Sequence, residues 1–172
     1  DKALAINPNH TNNISLKALA LSKLGKNDVI NSANVIMAID PKDFIALANI
    51  GLALGYLGRD GEALEWYDKA LAINPDYINC LSDKGIALSN LGRYEEAIDC
   101  YDKALATHPN YILALHNKGV AVALLGEYED AIDLYDKVLA IDPNFAESSV
   151  NKKLVEEEIR KKSDNPTIGL IL

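Results

Sequence analysis

Residues 78–111 read INCLSDKGIALSNLGRYEEAIDCYDKALATHPNY, and the chain is built from this unit. Its second half, LGRYEEAIDCYDKAL at 91–105, returns as LGEYEDAIDLYDKVL at 125–139. A counterpart lies at 57–75, and all three copies are separated by the same interval. The prolines keep this period almost without change, as Pro8, Pro41, Pro75, Pro109 and Pro143. A fixed period of this kind indicates a stack of one supersecondary unit.

Each unit is predicted to be a pair of antiparallel helices joined by a tight turn. Apolar residues recur at helical spacing in two runs of the quoted stretch, and Gly92 separates the runs. We expect Gly92 to adopt a left-handed conformation at the end of the first helix, which glycine does without strain. Proline cannot extend the second helix. The polar residues just after the prolines are predicted to cap the helices that follow, namely Asp76, Asn110 and Asn144.

Small residues interrupt the apolar faces at recurring positions. Because a larger apolar residue would serve there if bulk alone mattered, we expect helix axes to approach closely at these points. A larger side chain should cost roughly 1 to 3 kcal/mol by overpacking. The positions are Gly51, Ala63, Ala70, Gly85, Ala97, Ala104, Gly119 and Ala131.

This period and pattern resemble the tetratricopeptide repeat family. The signature positions of the family are filled in the third repeat by Leu81, Lys84, Gly85, Leu88, Ala97, Tyr101, Ala104 and Pro109. Lys84 stands where the family has a large apolar residue, and Lys118 repeats this departure in the fourth repeat. The resemblance implies an all-α fold, a right-handed α-solenoid of helix-turn-helix repeats of about 34 residues with a capping helix at its C-terminal end.

The predicted organisation follows this period. It comprises a truncated repeat at 1–8, a degenerate first repeat at 9–43, three regular repeats at 44–77, 78–111 and 112–145, a capping helix at 146–162 and an apolar tail at 163–172. In the first repeat Val29, Ala33 and Ile36 reverse the usual order of small and large residues, which predicts altered helix packing there. The capping helix is predicted to carry one apolar side and a polar outer surface, with the apolar side formed by Val150, Leu154, Val155 and Ile159.

Composition narrows the classes of partner. The net charge is −8, from 25 acidic and 17 basic residues, which argues against nucleic acid and anionic membrane surfaces. Cys80 and Cys100 lack CxxC spacing, and no signal peptide or transmembrane run is present, so we expect reduced thiols and a cytoplasmic protein. His10, His108 and His116 lack the spacing of metal ligands, and no phosphate-binding loop or paired acid and base is found. The sequence therefore predicts neither an enzyme nor a cofactor or metal site.

The resemblance implies that first helices line a concave face where peptides or partner helices lie. The inward positions are Ile45, Ala48, Leu52, Gly55 and Tyr56 in the second repeat, Asn79, Ser82, Ile86, Ser89 and Asn90 in the third, and Leu113, His116, Val120, Ala123 and Leu124 in the fourth. This set is nearly uncharged, which predicts a neutral groove for an apolar or amphipathic segment.

Chaperone-binding members of the family hold an acidic peptide C-terminus in a clamp of Lys, Asn and Arg. The aligned positions here are Ser15, Leu19, Asn49, Asn79 and Asp83, of which only Asn49 matches, so no carboxylate clamp is expected. The leading hypothesis is a non-enzymatic adaptor that binds another protein. The alternatives are self-association through the truncated first helix or the apolar tail at 168–172, and a targeting arm of a larger enzyme.

Overall fold

The computed structural model describes residues 9–23 and 29–164, and over these residues the chain is all α, with nine helices and no strand. The predicted all-α repeat fold is confirmed. The half helix expected at 1–8 and the apolar tail from residue 165 onward lie outside the described residues. The helices are α1 (Asn9–Lys23), α2 (Val29–Ile39), α3 (Phe44–Tyr56), α4 (Asp60–Ile73), α5 (Ile78–Asn90), α6 (Tyr94–Thr107), α7 (Ile112–Leu124), α8 (Tyr128–Ile141) and α9 (Ala146–Asp164).

The chain forms two compact units, which we call unit 1 (residues 1–93) and unit 2 (residues 94–172). Unit 1 contains α1 to α5, and α3 packs against α1, α4 and, less extensively, α2. Unit 2 contains α6 to α9, in which each helix packs against the next. The core of each unit is therefore distributed between neighbouring helices, as a stack of short hairpins requires.

The turns between paired helices use glycine as predicted. Gly92 has a φ of 74°, and Gly58 and Gly126 at the matching positions have φ values of 70° and 87°. After Gly92, the backbone N–H of Arg93 donates to the carbonyl of Leu88 at 2.9 Å, which closes the helix end.

The small residues mark close helix contacts, again as predicted. A methyl group placed on Gly51 would lie 2.6 Å from the Tyr67 ring, and one on Gly119 would lie 2.7 Å from the Tyr135 ring. Both tyrosines are buried. The alanines at the recurring positions that lie in the second helices are fully buried as well, namely Ala63, Ala70, Ala97, Ala104 and Ala131.

The first repeat packs differently from the others. Val29, Ala33 and Ile36 are all buried, so the reversed order of large and small residues is accommodated in the core of unit 1. Polar side chains also join α1 to the α3 region, where Thr11 donates to Asp43 at 2.5 Å and Asn49 donates to Ser15 at 3.1 Å.

A lysine–aspartate pair links successive helices and explains the two lysines at apolar signature positions. Lys84 pairs with Asp68 at 2.5 Å in unit 1, and Lys118 pairs with Asp102 in unit 2. In unit 2, α9 continues the series, because Lys152 pairs with Asp136 at 2.5 Å. Each lysine buries most of its side chain while its ammonium group reaches an aspartate on the preceding helix.

Two local predictions were wrong. The N-cap residues of α5 and α7 are Tyr77 and Tyr111, with no side-chain cap bond, so Asp76 and Asn110 do not cap these helices. Both helices begin one residue further from the preceding proline than expected. A side-chain cap is present at α3, where Asp43 accepts a bond from the N–H of Ala46 at 3.0 Å.

The side of the capping helix α9 that packs against the rest of unit 2 differs from the one expected. Val155 is buried and Ile159 is partly buried, but Val150 and Leu154 are each 54% exposed. Ser148 replaces them on the packed side and is fully buried. The outer surface of α9 is therefore not uniformly polar.

Candidate functional site

A cleft of about 270 Å³ opens between α3, α4 and α5 of unit 1. We call it the α3–α5 cleft. Its walls are largely apolar, and two carboxylates and a buried tyrosine contribute polar atoms. The lining residues are Leu52, Gly55, Tyr56, Asp60, Tyr67, Asp83, Ile86, Ala87 and Asn90.

The carboxyl group of Asp83 is the most unusual polar group in the cleft. It is partly buried on α5, and burial raises its pKa to about 6. Among the described residues, no lysine or arginine pairs with it, and the neighbouring Lys84 pairs with Asp68 instead. Above pH 6 the cleft therefore holds a negative charge that no lysine or arginine in the described part of the chain pairs with.

A second carboxylate and a phenol face the same space. Asp60, the first residue of α4, accepts from the amide of Asn90 at 3.3 Å. A methyl group placed on Gly55 would lie 3.9 Å from both Asp60 Oδ1 and the Tyr67 hydroxyl, so both groups border the space beside Gly55. Burial, together with the negative charges of Asp83 and Asp60, raises the pKa of Tyr67 far above its usual value. The phenol therefore stays protonated and can donate a hydrogen bond.

Five residues of the predicted groove meet in the α3–α5 cleft. Leu52, Gly55 and Tyr56 come from α3, whereas Ile86 and Asn90 come from α5. Tyr56 and Ile86 are 51% and 40% exposed, so both offer apolar surface to a partner. The expected neutral groove does not describe this cleft, because Asp60 and Asp83 also line it.

Other predicted groove residues of unit 1 lie outside the cleft lining. Ile45 is 41% exposed and Asn79 is exposed as well. Ala48 and Ser82 are buried, with exposures of 5% and 2%, so their side chains offer almost no surface for contact.

In unit 2 the predicted residues are divided between surface and packing. Leu113 and Leu124 are exposed, whereas Val120 packs against the core of the unit. His116 is half-buried, its Nδ1 lies 2.8 Å from the Ser148 hydroxyl, and burial lowers its pKa. The ring of Phe145 lies 5.2 Å from the His116 ring. His116 is thus held inside unit 2.

Each cleft residue has a counterpart in unit 2, two repeats further along the chain. Several of these counterparts are different residue types. Tyr128 stands for Asp60, Asn151 for Asp83 and Val155 for Ala87. Val155 belongs to the hydrophobic core of unit 2, and the partly buried Tyr128 packs against that core. Asn151 hydrogen-bonds to Tyr135, whose pKa burial raises to about 12. The two aspartates of the cleft are therefore replaced by uncharged residues in unit 2, where Glu158 stands for Asn90 and Lys162 lies over the Tyr128 ring.

The sequence contained a signal for the two carboxylates. Asp83 occupies a repeat position that holds Asn49, Asn117 and Asn151 elsewhere, and Asp60 occupies one that holds Tyr94 and Tyr128. Each departure is visible by itself. Only the packing of α3, α4 and α5 shows that both face one cleft.

Other kinds of site find no support in the residues that the structure covers. No cluster of three or more His, Cys, Asp or Glu side chains there could hold a metal ion. No helix within 9–23 or 29–164 has the length and hydropathy to cross a membrane. Cys80 and Cys100 are both buried.

Comparison with known sequences identifies the repeat. A family model described as "Tetratricopeptide repeat" matches residues 43–107 and, in a second placement, 77–144. No curated protein matches the sequence.

Solved structures share the fold. A tetratricopeptide repeat protein from Parabacteroides merdae is 23% identical with a TM-score of 0.73, and the match covers 90% of this chain and 61% of that one. The first tetratricopeptide repeat domain of Spaghetti (RPAP3), bound to the HSP90 peptide SRMEEVD, is 22% identical with a TM-score of 0.67, over 70% and 96% of the two chains. The Sgt2 domain from Aspergillus fumigatus is 21% identical with a TM-score of 0.68, over 76% and 87%.

Proposed function

Because the chain belongs to the tetratricopeptide repeat family, whose repeats are protein–protein interaction modules, we propose that it is a non-enzymatic adaptor that binds an apolar or amphipathic polypeptide segment. The observation that carries this proposal is the α3–α5 cleft, where the exposed apolar side chains of Tyr56 and Ile86 flank a space open to a ligand. Burial of such surface contributes about 25 cal/mol per Å².

The proposal excludes a carboxylate clamp. The Spaghetti domain is bound to SRMEEVD, a peptide with three acidic residues at or near its end. In this chain Ser15 and Asn49 hydrogen-bond to each other, and Asp83 would repel a carboxylate. The charge of the cleft thus favours a different class of segment from the acidic peptide of that neighbour.

Further parts of the proposal rest on the predicted groove. We include Leu113 and Leu124 of unit 2 as additional contact surface, because both are exposed apolar residues at inward positions of a first helix. The cytoplasmic location and the proposed absence of nucleic-acid and membrane partners stay predictions from composition and charge. Self-association, a second candidate, depends on residues outside those that the structure describes.

A matched pair of substitutions tests the proposal. Ile86→Asp changes a cleft residue of 40% exposure, whereas Ile73→Asp changes a residue of 42% exposure on α4 that does not line the cleft. We expect Ile86→Asp to abolish selection of peptides from a phage-displayed random library while Ile73→Asp leaves it intact. Equal selection by both variants would count against the cleft as the binding site. Circular dichroism checks that both variants are folded.

A further inference from the structure

We propose that the α3–α5 cleft receives a basic side chain, lysine or arginine, from the bound polypeptide segment. This inference deepens the proposed function and rests on it. It assigns the charge of one ligand residue, which the apolar surface alone does not specify.

The size of the cleft fits one side chain. Pockets for whole small molecules measure roughly 300 to 1,000 Å³. The α3–α5 cleft, at about 270 Å³, lies below that range. Its walls include Leu52 and Ile86, which suit the aliphatic stem of a lysine or arginine.

The charge of the cleft is complementary to a basic head group. Asp83 and Asp60 both line it, and the Tyr67 phenol adds a neutral oxygen that can accept a hydrogen bond. Among the described residues, Lys84 pairs with Asp68, Arg59 pairs with Glu62, and Lys23 lies against the Tyr56 ring. A ligand cation would therefore meet two carboxylates that form no ion pair with the lysines and arginines that the structure describes.

The other repeats show that the fold tolerates an uncharged residue at the position of Asp83. Asparagine stands at the matching position of the neighbouring repeats, and in unit 1 the amide of Asn49 finds a hydrogen-bond partner in Ser15. A buried carboxylate without a cation costs stability, and such costs cluster at functional sites. The aspartate at position 83 is thus better explained by an external partner than by the fold.

Within residues 9–23 and 29–93, the charged and titratable groups around Asp83 are few. Tyr56 of α3 and both Asp60 and Tyr67 of α4 face the cleft. Lys23 of α1 places its Nζ 4.9 Å from the centre of the Tyr56 ring, at the edge of the site. Since the carboxylates dominate, a basic ligand should bind more tightly above pH 6 than at pH 5.

The test compares peptides selected by three forms of the full chain. A phage-displayed library of random nonapeptides is panned on the wild type, on an Asp60→Asn, Asp83→Asn double variant, and on Asp99→Asn, which removes an exposed acid of unit 2. We expect lysine or arginine to be enriched beside apolar residues on the wild type and on Asp99→Asn. The double variant should select apolar peptides without that enrichment.

A binding measurement then isolates the charge. In the best selected peptide the basic residue is replaced by norleucine, and fluorescence polarisation at pH 7.5 should show affinity lower by roughly tenfold or more for the wild type. The double variant should bind both peptides equally.

The possible outcomes separate the two proposals. Apolar peptides without basic residues on the wild type, or equal basic enrichment on the double variant, would overturn this inference and leave the proposed function standing. Failure of every form to select any peptide would overturn both.

Discussion

Each unit contains three helices at matching repeat positions, and the space between these helices is lined differently in the two units. In unit 1, α3, α4 and α5 enclose a cleft with Asp60 and Asp83 on its lining. In unit 2, α7, α8 and α9 bring Tyr128 and Asn151 to the matching positions, and Tyr128 packs against the core. The difference teaches that the repeat scaffold needs neither carboxylate, since the same fold is completed without them in unit 2.

The first prediction concerns the repeat position shared by Ile50, Lys84 and Lys118. Ile50 is fully buried, and position 34, which would supply the pairing aspartate, is asparagine. Ile50→Lys should therefore bury an unpaired charge and lower the free energy of unfolding by roughly 3 to 5 kcal/mol. Urea denaturation followed by circular dichroism measures this change. Ile50→Leu is the control and should cost less than about 1.5 kcal/mol.

The second prediction concerns Asp83. Its folded pKa of about 6 lies above the ordinary 3.8, so the folded chain holds this proton more tightly than the unfolded chain does. The contribution of Asp83 to stability is thus most favourable below pH 3.8 and is lost as pH rises through 6. Asp83→Asn should raise the free energy of unfolding at pH 8 by roughly 1 to 3 kcal/mol and have little effect at pH 4.

The reciprocal exchange sharpens this comparison. Asn151→Asp places a carboxyl beside Tyr135 in unit 2, where Asn151 now hydrogen-bonds to the phenol. We expect a loss of roughly 1 kcal/mol at pH 8, because the new charge is partly desolvated. The contrast between the units would fail if neither substitution changed the free energy of unfolding at pH 8. The two sites would then be equivalent.

The smallest effects are expected at the lysine–aspartate pairs. Lys84→Met and Lys118→Met restore the apolar residue typical of the family and remove pairs whose aspartates are more than half exposed. Because exposed pairs contribute about 0 to 1 kcal/mol, each variant should stay within about 1 kcal/mol of the wild type in chemical denaturation. A loss above about 2 kcal/mol in either would show that the pair, rather than the buried stem, holds the helices together.

Periodicity predicted the fold well because it depends on local spacing. The turn glycine Gly92 and the close contact at Gly51 both follow from which residue types recur in every repeat. The exposure of Val150 and Leu154 did not follow, since the rotation of a terminal helix is set by its packing on α8. The N-caps were also missed, because the turn after each proline is one residue longer than the cap rule assumes.

The geometry of the candidate site follows only in part from the sequence. Three inward positions of first helices, Leu52, Tyr56 and Ile86, line one cleft, and their role in binding stays a prediction. Asp60 belongs to a second helix, so a list restricted to first helices could not contain it. The negative charge of the cleft comes from one aspartate on α4 and one on α5. Because these helices belong to successive repeats, the sequence of a single repeat does not show that the two charges share a cleft.

The most direct test of the account is the titration of the Asp83 carboxyl carbon by ¹³C NMR, with and without a selected basic peptide. In the free protein we predict a pKa of about 6. With the peptide bound, a basic group beside the carboxylate should lower that pKa clearly, while the norleucine peptide should not. An Asp83 pKa that stays the same when the basic peptide binds would contradict the central claim.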